Sequence, residues 1–202
     1  MNHKIADTIS YIPSQENPLS SDVAIIKGKK IYLFDVGSSD VAFEDIQMID
    51  GDKCAIISHF HPDHIGNLTR LTELPIYVST NTFKYTNRGT IIEKDIILEE
   101  GIVAFLIPSS HAKGSLGLIV NDEYVFIGDA LAPSMKKGKV VYNAQLVLEC
   151  IRLFKSIEAP YFIQSHRMNR VDKKEEVIEK LDDIYAQRKG QESYIEIEDW
   201  HD

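Results

Sequence analysis

Cysteine is scarce in this chain, and long apolar runs are absent. Cys54 and Cys150 are the two cysteines among 202 residues, and both lie in apolar segments without C-x-x-C spacing, so no chemical role is expected for either. No apolar stretch approaches the roughly 20 residues needed to cross a bilayer, and the first twenty residues contain no apolar run typical of a secretory signal. These absences predict a soluble, cytoplasmic protein.

Positive charge is also in short supply. Lysine and arginine number 22 against 31 aspartates and glutamates, which gives a formal net charge of −9. Because proteins that bind nucleic acids or anionic membranes rely on basic residues to displace counterions, neither is expected as a partner, and a small-molecule substrate is favoured. The length fits a single domain over residues 1–202, large enough for a core that needs no disulfide or structural metal.

A hairpin pattern occurs twice in the chain. Residues 23–36, VAIIKGKKIYLFDV, predict a β-hairpin, and residues 117–130, GLIVNDEYVFIGDA, predict a second one. Sliding the first by 94 positions aligns the two and places Asp35 on Asp129. The repeat suggests two packed sheets rather than an array of repeats.

Each hairpin is followed by a helical segment and a short apolar strand. The helical segments cover about 41–49 and 143–157, and the strands end in Ser58-His59 and Ser165-His166. Helices that follow strands cover the outer faces of sheets, so the expected fold class is α/β, a four-layer αββα sandwich of two mixed β-sheets. Other expected elements are a helix from Ile65 to Leu74, strands at 75–79 and within 96–108, a helix over 81–88 and a helix in the tail from Val171.

The densest cluster of chemically active side chains is SHFHPDHIGN, residues 58–67. It holds three of the seven histidines and one aspartate within six positions. Imidazole and carboxylate ligands suit a borderline divalent metal such as zinc or iron. Ligands collect beyond the carboxyl ends of strands in open α/β sheets, so other donors at such ends join this cluster, and a site for two metal ions is expected.

Two simpler interpretations remain for single residues. A lone histidine near a strand end is usually packed or solvated, and this interpretation applies to His3 and His201 at the two ends of the chain. For Asp35, a carboxylate that caps a turn is as good an explanation as a role behind the metal ligands.

Five segments in order resemble the motif set of the metallo-β-lactamase superfamily. They are FDVG with Asp35, HFHPDH at 59–64, PSSHAKGSLG with His111, FIGDAL with Asp129 and IQSH with His166. The resemblance covers about residues 20–166 and implies two divalent metal ions, zinc being expected, with iron and manganese as alternatives. It implies that His59, His61 and His111 bind the first ion, that Asp63, His64 and His166 bind the second, that Asp129 bridges both, and that Asp35 steadies the ligand loop.

The resemblance also implies a hydrolase. In such a centre a bridging hydroxide attacks a carbonyl or phosphoryl group, and Asp63 is the expected catalytic residue that orients it. The β-lactamases of the superfamily have cysteine or another residue where Asp129 stands, which argues against antibiotic hydrolysis. Glyoxalases usually have two glycines where this chain has Gly66-Asn67, and only residues 167–202 follow His166, which argues against glutathione-specific cleavage. A small ester, thioester, lactone or phosphoester is therefore expected as substrate.

A second class of function stays open. A mononuclear iron oxidoreductase of the persulfide dioxygenase type has the same motifs but uses only the positions of His59, His111 and Asp129, a facial triad suited to oxygen chemistry. A non-catalytic binding module is disfavoured because all seven ligand positions are filled.

Specificity is expected to depend on loops 10–20, 80–93 and 131–142. Within the last of these, residues 132–140, APSMKKGKV, carry Lys136, Lys137 and Lys139 in an acidic chain. This segment is either a solvated mobile loop or a cationic loop that steers an anionic substrate. Lys113 and Tyr142 are further candidates for substrate contacts, from their position alone.

Overall fold

The computed structural model of the chain describes residues 3–197. In chain order the strands are β1 (His3–Ala6), β2 (Ile9–Ile12), β3 (Gln15–Glu16), β4 (Leu19–Ser20), β5 (Val23–Lys27), β6 (Ile31–Phe34), β7 (Lys53–Ile56), β8 (Ile76–Ser79), β9 (Thr90–Ile92), β10 (Ile96–Glu99), β11 (Ile102–Ile107), β12 (Ser115–Val120), β13 (Tyr124–Phe126), β14 (Ser134–Lys136), β15 (Lys139–Asn143), β16 (Tyr161–Ile163), β17 (Asp172–Lys173) and β18 (Tyr194–Glu196). The α-helices are α1 (Asp40–Met48), α2 (Pro62–Ile65), α3 (Thr80–Thr86), α4 (Ala144–Ser156) and α5 (Lys174–Ala186), and a 3₁₀ helix (Gly66–Thr69) follows α2. Among the described residues, none of these helices has the length and apolar character needed to cross a membrane.

Two mixed sheets form the centre of the fold. The first has the strand order β1-β2-β5-β6-β7-β8-β9 and the second the order β10-β11-β12-β13-β16-β17. An apolar layer lies between them, in which the rings of Phe34 and Phe126 are 5.8 Å apart. A second apolar layer lies between the first sheet and α1, and a third between the second sheet and helices α4 and α5. The predicted four-layer αββα sandwich is therefore confirmed.

Local sequence signals account for the outer helices. Ser39 caps α1 by accepting a hydrogen bond from the amide of Ala42, and Asn143 caps α4 in the same way through Leu146. Along α4, the residues Val147, Ile151 and Phe154 are buried at helical spacing against the second sheet. The predicted helices at 41–49 and 143–157 are confirmed with ends shifted by one residue.

The internal repeat is visible in the topology. Strands β5 and β6 are antiparallel and β7 lies parallel to β6, while β12 and β13 are antiparallel and β16 lies parallel to β13. The register differs from the sequence alignment, however. Ala24 pairs with Phe34, ten positions on, whereas Leu118 pairs with Phe126, eight positions on.

The tighter second hairpin changes which residues correspond. The amide of Asp35 bonds to the last carbonyl of β7, 2.9 Å away, and the amide of Ile127 bonds to the last carbonyl of β16, 3.0 Å away. Asp35 therefore corresponds to Ile127 in the fold, and the predicted alignment of Asp35 with Asp129 is wrong by two positions. Asp129 lies two residues beyond the equivalent point, farther out at the sheet edge.

The predicted helix from Ile65 to Leu74 is also wrong. Pro62 occupies the first turn of the short helix α2, which ends at Ile65, and a 3₁₀ helix follows from Gly66 to Thr69. Gly66 lies so close to Ser38 that a β-carbon would be 2.6 Å from the serine Cβ. The guanidinium of Arg88 donates to the carbonyls of Leu68, Leu71 and Leu74, and a regular helix over this segment would already use the carbonyl of Leu68. Tertiary contacts therefore override the helical pattern here.

Candidate metal centre

The seven predicted ligands lie at one edge of the two sheets. His59 and His61 follow β7, Asp63 and His64 belong to α2, and the others lie beyond the ends of β11, β13 and β16. Their ligand atoms form two groups in which all atoms lie within 4.8 Å of one another. The first group is His59, His61 and His111, and the second is Asp63, His64, Asp129 and His166.

The first group consists of three imidazole nitrogens. Nδ1 of His61 is 3.0 Å from Nε2 of His59 and 3.0 Å from Nε2 of His111. Two nitrogens bound to one tetrahedral zinc ion at about 2.1 Å are about 3.4 Å apart, so this spacing needs only a small expansion to hold an ion.

A single oxygen, Oδ2 of Asp129, faces both groups. It lies 3.3 Å from Nε2 of His64 and 3.7 Å from Nε2 of His166, in its own group. It also lies 3.6 Å from Nε2 of His111 and 3.9 Å from Nε2 of His59, in the first group. Asp63 completes the second group, since its Oδ2 is 3.0 Å from Nε2 of His166 and 3.3 Å from Nε2 of His64. The arrangement suits a carboxylate shared by two ions.

Asp35 lies fully buried behind the ligands. Its carboxylate accepts hydrogen bonds from the amide and the hydroxyl of Ser58, each 2.7 Å away, and from Nδ1 of His64, 2.8 Å away. Because the Ser58 hydroxyl donates its proton to the hydrogen bond with Asp35, its Oγ accepts a hydrogen bond of 2.9 Å from Nδ1 of His59. In their neutral forms both histidines therefore present an unprotonated Nε2 to the centre, the form that a metal ion requires.

His111 is oriented by the backbone. Its Nδ1 donates to the carbonyl of Pro133 at 2.8 Å, so its Nε2 also faces the centre as an acceptor. Two residues at the centre have left-handed backbone, Asp35 with φ of 66° and His166 with φ of 63°. Such conformations are uncommon outside glycine and are concentrated at functional sites.

The two groups differ in their affinity for protons. Burial and the neighbouring His64 lower the pKa of His59 well below its ordinary value, and burial with His111 lowers the pKa of His61. Burial opposes charge on His64 as well, but Asp35 and Asp129 raise its pKa well above the ordinary value. The hydrogen bond to Asp63 raises the pKa of His166.

Both carboxylates of the second group stay ionised. Although burial opposes it, hydrogen bonds from His166 and His64 hold the pKa of Asp63 well below its usual range. Burial is likewise outweighed at Asp129, where His64 and His59 lower the pKa. Neutral imidazoles and ionised carboxylates are the ligand forms of these side chains, so the donor set fits a pair of divalent cations.

Comparison with known proteins agrees with this geometry. No family model matches the chain. A hydroxyacylglutathione hydrolase of Haemophilus ducreyi is 26% identical over 113 residues, which cover 54% of this chain, and the chain spans about half the length of that relative, 48%. The solved structure of the DIM-1 metallo-β-lactamase superposes with a TM-score of 0.69 at 15% identity, covering 91% of this chain and 97% of that one. The chain has the metallo-β-lactamase fold.

A solved oxidoreductase shares this fold. The rubredoxin oxygen:oxidoreductase of Desulfovibrio gigas superposes on the metallo-β-lactamase-fold chain with a TM-score of 0.69 at 14% identity. The match covers 93% of this chain and 62% of that one. The metallo-β-lactamase fold thus accompanies more than one kind of chemistry, and the ligands rather than the fold must indicate the reaction.

Three supporting groups of this metallo-β-lactamase-fold site were not predicted from the sequence. Ser58 directly precedes the first histidine of the cluster, but a serine there does not by itself indicate a contact with Asp35. The carbonyl of Pro133 has no side-chain signal at all. Asp22 is buried and accepts hydrogen bonds from the amides of Ser14 and Met168, which ties the segment after β2 to the segment after His166. In the sequence Asp22 is an isolated aspartate before an apolar strand, and that pattern does not predict this contact.

A cavity of about 410 Å³ opens beside the second ligand group. His166 lines it together with Tyr11, Ser14 and Asn169. The predicted pocket loop 10–20 therefore reaches the metal centre. His3, interpreted as a packed or solvated residue, lines the same cavity and lies 5.3 Å from the ring of Tyr11, whereas His201 lies outside the described residues.

Residues 132–140 form the β14–β15 hairpin rather than a loop. The hairpin pairs with β18, the ammonium of Lys136 lies 3.5 Å from the ring centre of Tyr194, and Lys139 forms an ion pair of 2.7 Å with Glu196. Both lysines are therefore engaged with β18. Lys137 lies in the exposed turn of the hairpin, and Lys113 is exposed two residues after His111, so these two keep the predicted substrate role open.

The prediction that Tyr142 contacts a substrate is wrong, because this side chain is buried. Its side chain is 1% exposed and packs in the core between the second sheet and α4, where its hydroxyl donates to the carbonyl of Leu131 at 2.8 Å. The alternation of side chains along β15 turns this residue inward.

Proposed function

We propose that this chain is a hydrolase with a binuclear metal centre, zinc being the expected metal. His59, His61 and His111 would hold one ion, Asp63, His64 and His166 the other, and Asp129 both. The observation that carries the proposal is the position of Oδ2 of Asp129, between 3.3 and 3.9 Å from four imidazole nitrogens of two complete groups. The similarity to a hydroxyacylglutathione hydrolase supports hydrolysis as the reaction.

The protein groups have separable roles in this proposal. When bound, the two ions would supply a water molecule of lowered pKa and polarise a carbonyl or phosphoryl oxygen. Asp63, whose side chain is 14% exposed, would orient the attacking group by accepting a hydrogen bond from it. Asp35, Ser58 and the carbonyl of Pro133 would fix the tautomers of the ligating histidines. His166 would meet the substrate at the cavity lined by Tyr11 and Asn169.

The proposed substrate is a small ester, thioester, lactone or phosphoester. The curated relative makes a thioester the first class to test. A cavity of about 410 Å³ lies at the lower end of the range for small-molecule sites, about 300–1,000 Å³.

A mononuclear iron oxidoreductase of the persulfide dioxygenase type is the alternative. Oδ2 of Asp129 lies 3.9 Å from His59 and 3.6 Å from His111, so these three residues alone are close enough to share one ion. The structural similarity to an oxygen oxidoreductase means that the fold itself is compatible with this alternative. It leaves His61 and His166 without a metal to bind.

Metal analysis of three variants separates the two functions. The wild-type protein, purified without added metal, is expected to hold two ions, mostly zinc. His61→Ala and His166→Ala are each expected to retain about one ion, because each removes a ligand from one group only, and Asp129→Ala is expected to lose both. Hydrolysis of a panel of thioesters, esters, lactones and phosphodiesters should fall in all three variants, by at least about 100-fold in Asp129→Ala.

The alternative gives a different pattern. One iron per chain that survives both His61→Ala and His166→Ala would replace the hydrolase with the oxidoreductase. His3→Ala is the control for the metal count, since it removes an imidazole near the same edge that belongs to neither ligand group. Absence of metal from the wild-type protein would overturn both functions.

A further inference from the structure

A second cavity, of about 210 Å³, lies next to the metal-bearing edge but contains none of the seven ligands. Leu131, two residues after Asp129, lines one side, and Arg167, directly after His166, lines another. Helix α5 closes it with Glu176 and Lys180. Arg167 also lines the larger cavity beside His166, so one side chain borders both.

Asp172 organises the wall of this cavity. Its side chain is 5% exposed, and its Oδ2 accepts a hydrogen bond of 2.7 Å from Nε2 of the Gln164 side chain. Its Oδ1 forms an ion pair with Nε of Arg170 and lies 3.9 Å from Nη2 of Arg167. The buried carboxylate thus binds the guanidinium of Arg170 and lies near that of Arg167, and each guanidinium has further N–H donors that can meet a ligand.

The cations of the cavity outnumber its carboxylates. Arg167, Arg170 and Lys180 face Asp172 and Glu176, and Glu176 already accepts a hydrogen bond from the amide of Lys173 at the start of α5. Within residues 3–197, Lys180 has no carboxylate within 4 Å. Burial and the charge of Arg167 lower the pKa of Lys180 despite the attraction of Asp172. Positive charge is therefore concentrated here, in a chain whose net charge is −9.

We propose that the cavity lined by Arg167, Arg170 and Lys180 is a binding site for an oxyanion, a phosphate or carboxylate group. Guanidinium groups match the paired oxygens of such anions, and an ammonium group adds a point charge from the opposite wall. The volume is too small for a drug-sized ligand and suits a single acidic group. The site does not depend on the proposed hydrolase activity.

Inorganic phosphate is the probe for this site. Calorimetric titration of the metal-loaded protein is expected to show phosphate binding that weakens at least tenfold in Lys180→Gln and is restored in Lys180→Arg. Lys189→Gln is the matched control, because it removes one exposed charge close to α5 that does not line the cavity. Thermal unfolding of each variant verifies that the fold is intact.

A second titration distinguishes phosphate bound in the cavity from phosphate bound to the metal ions. Asp129→Ala, which is expected to lose the ions, should retain the phosphate site with an unchanged dissociation constant. The proposal is overturned if phosphate binding is equal in wild type and Lys180→Gln, or if all binding disappears with the metal. Neither result affects the metal count that tests the hydrolase.

Kinetics then distinguish the source of the oxyanion. If the acidic group belongs to the substrate, Lys180→Gln should raise KM about tenfold for an ester that carries a carboxylate, with kcat and the KM of a matched neutral ester unchanged. If the site takes a free anion, both KM values should be unchanged while phosphate binding is lost. Each result supports the oxyanion site and assigns it a different ligand.

Discussion

At the scale of single residues, Asp35 orients one histidine in each ligand group of the candidate metal centre. It directs the proton of the Ser58 hydroxyl, and through it the proton on His59, while it binds the proton on Nδ1 of His64 directly. One carboxylate therefore sets the tautomer of a ligand in each group. A turn cap would satisfy only nearby amides, so the contacts favour the role behind the metal ligands over the simple capping role.

Asp35→Asn tests this arrangement with little change in volume. The asparagine NH2 group would oppose a donor in either orientation, Nδ1 of His64 or the amide of Ser58, so the side chain could no longer hold the His64 ring and the ligand loop together. We expect metal affinity of the second group to fall by about 10- to 100-fold, as measured by competition with a chelator of known affinity. The first group should be affected less, since the contact of His59 runs through Ser58.

A surface substitution provides the comparison. Asp40→Asn removes one negative charge from the same half of the chain, at an exposed ion pair with Arg70. It should leave the affinity for both ions unchanged. Equal affinities in Asp35→Asn and wild type would refute the assignment of tautomers given above.

At the scale of elements, the turn after β13 fixes the distance between the two sheets at the metal centre. Gly128, with φ of 53°, precedes Asp129, and a β-carbon there would lie 2.8 Å from Cβ of Ser58. The turn that carries Asp129 therefore packs directly on the residue that orients His59. Only glycine combines this backbone conformation with this close approach.

Gly128→Ala and Gly190→Ala form a matched pair for this contact. Gly190 has a similar φ of 57° but nothing within 4 Å of the added carbon. Gly190→Ala should cost only the strain of left-handed backbone, about 1–2 kcal/mol of the free energy of unfolding. Gly128→Ala should cost a further 1–3 kcal/mol, approximately, because the sheets must separate around the new methyl group. Chemical denaturation measures both.

The metal content of the same two proteins gives an independent measure. Gly190→Ala should bind metal as the wild type does, whereas Gly128→Ala should bind it more weakly because Ser58 is displaced. Equal stability and equal metal affinity of the two variants would show that the contact between Gly128 and Ser58 does not position the site.

Elements were predictable from the sequence where local signals agreed with the fold. Alternating apolar residues around a turn gave both hairpins, and capped amphipathic segments gave α1 and α4. The prediction of a regular helix from Ile65 to Leu74 was wrong because backbone groups of this segment bind distant partners, the side chain of Arg88 and the carbonyl of Gly37. The interpretation of residues 132–140 as a mobile loop was wrong because the strand that pairs with this hairpin, β18, lies more than fifty residues later in the chain.

At the scale of the whole molecule, the repeat predicted two sheets with ligands at one edge. The candidate ligands were predictable because histidine and aspartate are metal-ligating residues in themselves, and the structure brings all seven together. The residues behind the ligands could not be predicted, since Asp22 and Ser58 act through contacts between distant segments. The position of Asp129 could not be predicted either, because it depends on a hairpin that is two residues shorter than its counterpart. Whether residues 1–202 act as one domain stays a prediction.

The metal centre also connects the two sheets, and this gives a prediction about stability. His59, His61, Asp63 and His64 follow a strand of the first sheet, whereas His111, Asp129 and His166 follow strands of the second. Because the unfolded chain does not preserve the site, bound metal should stabilise the folded state, by about 2.7 kcal/mol at a free concentration 100 times the dissociation constant.

This stabilisation should depend on pH. In the metal-free protein the pKa values of His64 and His166 are raised, so their protonated forms stabilise the fold below the unfolded pKa of about 6.5, and that contribution is lost as the pH rises through the folded pKa. A metal ion must displace the same protons. The increase in melting temperature that zinc produces over chelator-treated protein should therefore be large near about pH 8 and small near about pH 5.5. Asp129→Ala should show no increase at either pH, and an equal increase at both pH values in the wild type would mean that the metal binds elsewhere.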